Sequence, residues 1–132
     1  MEIIIIAAHG SPSKEASNVE DIAERLHRMI HPECNKDCVR VGYLQFNEPT
    51  IADAIKNAVK DGAQKIIIHP FFLSSGIHVT ESIPAIINTA KALYPDVKFV
   101  YTEPLGFHDK LAEVVFERIK AVTDIRSDNK RG

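Results

Sequence analysis

Four short runs of β-branched and aromatic residues, each followed by a stretch with helical periodicity, constrain this chain more than any other feature. Such alternation is the pattern of βα units wound into a parallel sheet. The predicted strands are 3–8, 39–44, 65–71 and 97–102. Runs such as Ile66-Ile67-Ile68 are apolar without interruption, which suggests strands buried on both faces, as a parallel sheet covered by helices requires. The predicted helices are 15–30, 49–62, 80–93 and 108–122. Val19, Ile22, Ala23 and Leu26 recur at helical spacing in the first, and Leu111, Val114, Val115 and Ile119 share one face of the last. Pro49 reads as a first-turn residue of the second helix, and Gly62 as its stop.

No repeat on the scale of half the chain and no low-complexity tract interrupts this pattern, so residues 1–125 read as one α/β domain and 126–132 as a flexible polar tail. Right-handed crossovers and short connections make a flavodoxin-like, four-stranded parallel sheet of order 2-1-3-4, with helices on both faces, the economical topology. In that order the chain reverses direction across the sheet between strands one and three. A crevice should therefore open where their carboxyl ends diverge.

At 132 residues, with 45% hydrophobic and 26% charged, the chain can bury a real core unaided. Its net charge of -2 supplies no basic field, so the expectation is no nucleic acid and no membrane among its partners. The start is too short and too acidic for a signal peptide, and no apolar run reaches the length of a membrane span, so a cytoplasmic location is expected. Cys34 and Cys38 are the two cysteines, too few for a disulfide framework.

The chemistry-bearing residues fall at strand ends. Strand one runs into His9-Gly10-Ser11, and strand three into Phe71-Phe72-Leu73-Ser74-Ser75-Gly76-Ile77-His78. Each loop thus brings one histidine to the predicted crevice. Two imidazoles suit a borderline divalent metal such as Co²⁺, Ni²⁺, Fe²⁺ or Zn²⁺. Only two protein ligands leave coordination positions open, as a site that passes its metal on requires. Taken alone, His9 reads equally well as a residue buried at a strand end. Glu48 is the nearest carboxylate in the pattern, and the start of a helix is also where a dipole favours an acid with no catalytic role. His31, Cys34 and Cys38 form a His-x-x-Cys-x-x-x-Cys cluster with zinc-ligand character, but three ligands remote from the crevice read as an incidental loop cluster. His27 reads as a complement to the dipole at the same helix end, His69 as a packed strand residue, and His108 as a surface residue near the Gly106 loop.

Taken together, His9-Gly10-Ser11, Glu48-Pro49-Thr50-Ile51, the Pro70–His78 run, Ile83-Pro84 and Glu103-Pro104-Leu105-Gly106 resemble the small class II chelatases of the CbiX/SirB/CfbA group. The resemblance covers most of the chain, and the Pro-x-Phe-Leu-x-x-Gly-x-His block is its specific part. It implies insertion of Co²⁺, or of Ni²⁺ or Fe²⁺, into sirohydrochlorin on the way to cobalamin, sirohaem or a related cofactor, with the metal as substrate and no tightly bound cofactor. It implies that His9 and His78 bind or deliver the metal and that the short chains form homodimers. The chain departs from the family pattern at Gln45, where a Glu is usual, at Ser82, where an Asp is usual, and at Pro12, where an Arg is frequent.

A free-base tetrapyrrole loses two pyrrolic protons as the metal enters, so the site needs a cation to acidify them and a base to take them. Histidine does either near neutral pH. The expected catalytic set is His9, His78 and Glu48, with His9 and His78 as metal ligands. The substrate's peripheral carboxylates would meet Gly10, Ser11, Gln45, Ser74, Ser75 and Gly76, together with Lys14. The rival reading is a non-catalytic carrier of metal or tetrapyrrole with the same fold. A phosphoryl transferase built on His9-Gly10 would want an Arg where Ala8 stands, and a nucleotide or flavin binder would want a glycine-rich first loop.

Overall fold

A computed structural model describes residues 1–13 and 17–124; Lys14 and the 126–132 tail lie outside the described residues. The elements alternate as expected: β1 (Glu2–Ala8), α1 (Ser17–Ile30), β2 (Val39–Tyr43), α2 (Ile51–Lys60), β3 (Lys65–Pro70), a π-helical turn (His78–Ser82) leading into α3 (Ile83–Leu93), β4 (Lys98–Tyr101) and α4 (Asp109–Lys120). The four strands form one parallel sheet of order β2-β1-β3-β4, the topology expected from the sequence.

The pleat sorts the core into two clusters. Ile3, Ile5, Ala7, Ile66 and Ile68 project toward α2 and α3 and pack with Ile51, Ile55, Ile83 and Ile87. Ile6, Ala8, Val39, Val41 and Tyr43 project the other way, onto Ala23 of α1. Gly42 admits α2 to the first face, because a Cβ there would lie 2.9 Å from the Ile51 Cα. Each fully buried isoleucine contributes about 1.5–3 kcal/mol.

Two expectations are corrected. Pro49 is not in α2: Thr50 caps that helix, its hydroxyl accepting from the Asp53 amide at 3.1 Å. Burial on both faces holds for β1 but not for β3, where Ile66, Ile68 and Pro70 are buried while Ile67 and His69 are half-buried. The apolar face of α4 is not packed inward, for no residue of that helix is buried and Val114 and Val115 are exposed. His108 is exposed, and its Nδ1 accepts from the Lys110 amide at 3.0 Å, capping α4.

The π-helical turn has a local cause. Pro84 lacks the N–H that would bond the Thr80 carbonyl in an α-helix. The ladder widens instead, and the Ile83 N–H reaches back to the carbonyl of His78.

Candidate metal-handling site

The carboxyl ends of β2, β1 and β3 meet in one crevice. Beyond β1, pairing with the β2 end continues through Leu44 N–H to Ala8 O and Gln45 N–H to His9 O, both 2.9 Å. This tether brings the loops so close that a Cβ at Gly10 would collide with the Gln45 carbonyl, and Gly10 has φ +95 besides. Glycine is required there on both counts. Asn47 completes the arrangement, its Oδ1 accepting the Ser11 amide at 2.7 Å.

His9 and His78 come together in this crevice with ring centroids 5.1 Å apart. A metal about 2.1 Å from each coordinating nitrogen, at a tetrahedral angle, would set the centroids roughly 5 Å apart. The pair therefore has the spacing of two ligands of one ion. The Nδ1 of His9 donates to the Gly10 carbonyl at 3.1 Å. The Nδ1 of His78 lies 3.3 Å from the Ser82 hydroxyl. The Gly10 carbonyl can only accept, so the His9 Nδ1 carries the proton and its Nε2 the lone pair a metal needs, while the Ser82 hydroxyl holds the His78 ring at its Nδ1, the kind of contact that orients metal-binding histidines. The Gln45 amide lies 3.5 Å from the His9 Nε2, so this side chain, chosen from the sequence as a substrate contact, borders the coordination position itself.

Apolar side chains frame the two rings. Phe46 is 6.1 Å from His9, and Phe72 is 6.0 Å from His78. Phe46, Leu73 and Ile77 are exposed, an apolar rim suited to a flat macrocycle. Phe71, at the start of the same loop, packs instead on the α1-side core. Ser74, Ser75 and Gly76 are exposed on the loop before His78. The Ser11 hydroxyl pairs with that of Ser13 at 2.9 Å.

Glu48 is placed differently from the histidines. It is exposed and lines a separate cleft of about 480 Å³ with Glu20, Glu24, His27 and Arg40; no hydrogen bond joins it to either imidazole among the described residues. His69 is tied to the β4 end, its Nδ1 donating to the Thr102 hydroxyl at 2.8 Å, which in turn donates to the Glu103 carbonyl at 3.0 Å. Burial holds its pKa below the usual histidine value, the Glu103 backbone partly offsetting this.

Sequence reasoning did not single out Phe46 or Asn47, and it named Ser82 only as a departure from the family pattern. Ser82 makes no side-chain capping bond; its hydroxyl serves His78. The i, i+4 spacing of His78 and Ser82 was the one available signal, and it becomes legible only once a helical turn is known to begin at His78.

Residues 3–122 match the sequence profile of the CbiX family. The chain belongs to the CbiX family. It is 31% identical to the sirohydrochlorin cobaltochelatase of Methanococcus maripaludis, over 89% of this chain and 97% of that one. It is 33% identical to the chloroplastic sirohydrochlorin ferrochelatase of Arabidopsis thaliana, over 89% of this chain and 51% of that one. The fold superimposes on the cobalt complex of the sirohydrochlorin chelatase SirB from Bacillus subtilis subspecies spizizenii with a TM-score of 0.78 and 26% identity, covering 92% of this chain and 50% of that one. The resemblance to small class II chelatases read from the sequence is thereby borne out.

Proposed function

We propose that this chain is a sirohydrochlorin chelatase that inserts a divalent metal, with His9 and His78 as the ligands that deliver it. The observation that carries the reading is the pairing of two imidazoles at 5.1 Å in the crevice of a CbiX fold, each ring held at its Nδ1 by an oxygen. Relatives named as cobaltochelatases support Co²⁺, and the Arabidopsis relative supports Fe²⁺. Ni²⁺ is accepted by the same neutral nitrogens.

Two nitrogen ligands hold the ion weakly enough to lose it to four pyrrole nitrogens. As each imidazole releases the metal it becomes a free base, so the pair can accept the two protons the macrocycle gives up. Charge balances without a further carboxylate, which fits the absence of an acid bonded to either ring among the described residues. Phe46, Leu73 and Ile77 would cover one face of the macrocycle. Gly10, Ser11, Ser74, Ser75 and Gly76 would meet its carboxylates with amides and hydroxyls, and Glu48 stands outside the ligand pair.

The active unit is a homodimer. Its support is the uncovered apolar side of α4, with Val114, Val115 and Ile119 exposed, and the half-buried strip Ile4, Ile67 and Val100 across the sheet. The chain also aligns to half of SirB, so a second copy would fill the place of the remaining half.

The deciding experiment follows the absorbance of sirohydrochlorin with Co²⁺, Ni²⁺ and Fe²⁺ in parallel. Multiple turnovers are expected with wild type, and His9→Ala and His78→Ala each abolish them while unfolding at the wild-type temperature. Full activity in either variant removes the mechanism. Stoichiometric binding without turnover would make the chain a carrier instead.

A further inference from the structure

At the amino end of the sheet, opposite the crevice, four metal-ligating side chains converge. His27, His31, Cys34 and Cys38 place one ligand atom each within 4.8 Å of all the others. The sequence alone shows three of these as a loop cluster. The fourth, His27, comes from helical geometry, because residues four apart lie one above the other and His27, in the last turn of α1, meets His31 just beyond its end, where the His31 amide bonds the His27 carbonyl. The two rings sit 6.0 Å apart, edge to face.

Three further observations point to a ligand between them. The His27 Nε2 is the one buried side-chain nitrogen or oxygen with no hydrogen-bond partner among the described residues. A buried imidazole nitrogen is seldom left without a partner. The two sulfurs are 3.8 Å apart, too far for a disulfide and the separation of two thiolates sharing one zinc, since Zn–S bonds of about 2.3 Å at a tetrahedral angle span roughly 3.8 Å. The Lys36 amide, finally, donates to the Cys34 Sγ at 3.4 Å, the kind of bond that steadies a thiolate.

We propose that His27, His31, Cys34 and Cys38 form a closed tetrahedral site for a structural Zn²⁺. Two sulfurs and two nitrogens in tetrahedral array favour zinc, a d¹⁰ ion with no geometric preference of its own. Two thiolates neutralise the ion, and the two thiol protons leave to solvent as it binds. The site clamps the end of α1 to the start of β2 across a segment without regular structure, in which Cys38 is buried and His31, Pro32 and Glu33 are exposed. The β2 strand separates it from the crevice by five residues, roughly 15 Å of extended chain. The two sites therefore do not share an ion.

The test measures zinc by elemental analysis after exhaustive dialysis in wild type, in His9→Ala/His78→Ala and in Cys34→Ser/Cys38→Ser. Close to one zinc per chain is expected in the first two and none in the third. Zinc that disappears with His9 and His78 overturns the proposal, as does wild type that retains none or carries a Cys34–Cys38 disulfide under reducing conditions. Should the cysteine variant fail to fold, metal-free wild type is titrated with Co²⁺. Intense tetrahedral bands with sulfur-to-cobalt charge transfer support the site, and a weak octahedral spectrum refutes it. Because the double-histidine protein is part of the test, its result is independent of whether the chain is a chelatase.

Discussion

Replacing Ser82 by Ala separates two roles that the sequence leaves equivalent. As a helix cap, the serine would be worth about 1 kcal/mol of stability, or about 3–5 °C of melting temperature in a chain of this size. The structure gives it no capping bond and places its hydroxyl 3.3 Å from the His78 Nδ1. Ser82→Ala should therefore act on the metal, beyond whatever part of the lost contact shows in the unfolding temperature. A contact of that length lies at the outer edge of hydrogen-bond geometry, so its net value is about 1 kcal/mol, roughly fivefold in affinity. That is near the low end of what a bond to the far nitrogen of a metal-ligating histidine carries. Initial rates of sirohydrochlorin metallation over a range of Co²⁺ concentrations should show KM for the metal raised about five- to tenfold, with kcat little affected. Ser82→Asp should lower it below wild type, because a charged acceptor roughly doubles the strength of such a bond. A Ser82→Ala protein that melts several degrees lower with its metal KM unaltered would refute this account of the π-helical turn.

Gly10→Ala forces a Cβ against the Gln45 carbonyl at φ +95, and the backbone strain alone is about 1–3 kcal/mol; denaturant unfolding should show at least that loss, and an unshifted midpoint would mean the two loops are not locked together. His69 is held below the usual histidine pKa by burial, so the stability linked to its neutral form is complete above about pH 6.5, the unfolded value, and is lost as pH falls from there through the lower folded value. Urea midpoints of wild type should thus drop on the acid side of that pH relative to His69→Gln, and parallel curves would exclude His69 as the cause. Val114 and Val115 are exposed on α4, so under the proposed dimer Val114→Glu/Val115→Glu should halve the mass in sedimentation while leaving the folded monomer intact; an unchanged mass would refute a dimer formed through α4.

How far the sequence spoke depended on whether a residue's partner was local or distant. Strand periodicity and the handedness of crossovers are local rules, and they suffice for the 2-1-3-4 order and for putting His9 and His78 at neighbouring strand ends. Loop chemistry is not local. Asn47 holds the Ser11 amide across 36 positions, and Phe46 meets His9 only because β1 and β2 stay paired past their ends. The Glu48 expectation rested on proximity in a motif, whereas the chain turns its side chain toward the cleft beside α1. Periodicity puts the apolar residues of α4 on one face, but it reports that a helix is amphipathic, not what covers it.

The two clusters of ligands show why residue type alone cannot assign metal chemistry. Each was visible as histidines or cysteines near one another, yet the cluster with more ligand types looked incidental and the pair looked functional. The difference lies in closure. In the crevice the proposed ligands are two nitrogens, with Gln45 at the edge and apolar rings around, so an ion there would keep open positions and could be taken by a stronger donor set. At the other end of the sheet, α1 contributes the ligand that turns three into four and buries its nitrogen in doing so. A site completed by a helix turn exchanges its ion only when that turn opens, whereas one shared between two loops exchanges whenever a competing ligand reaches the crevice. A brief chelator pulse should accordingly strip metal from His9 and His78 long before it reaches His27 and Cys38, and equal rates of loss would mean that the second set is not closed.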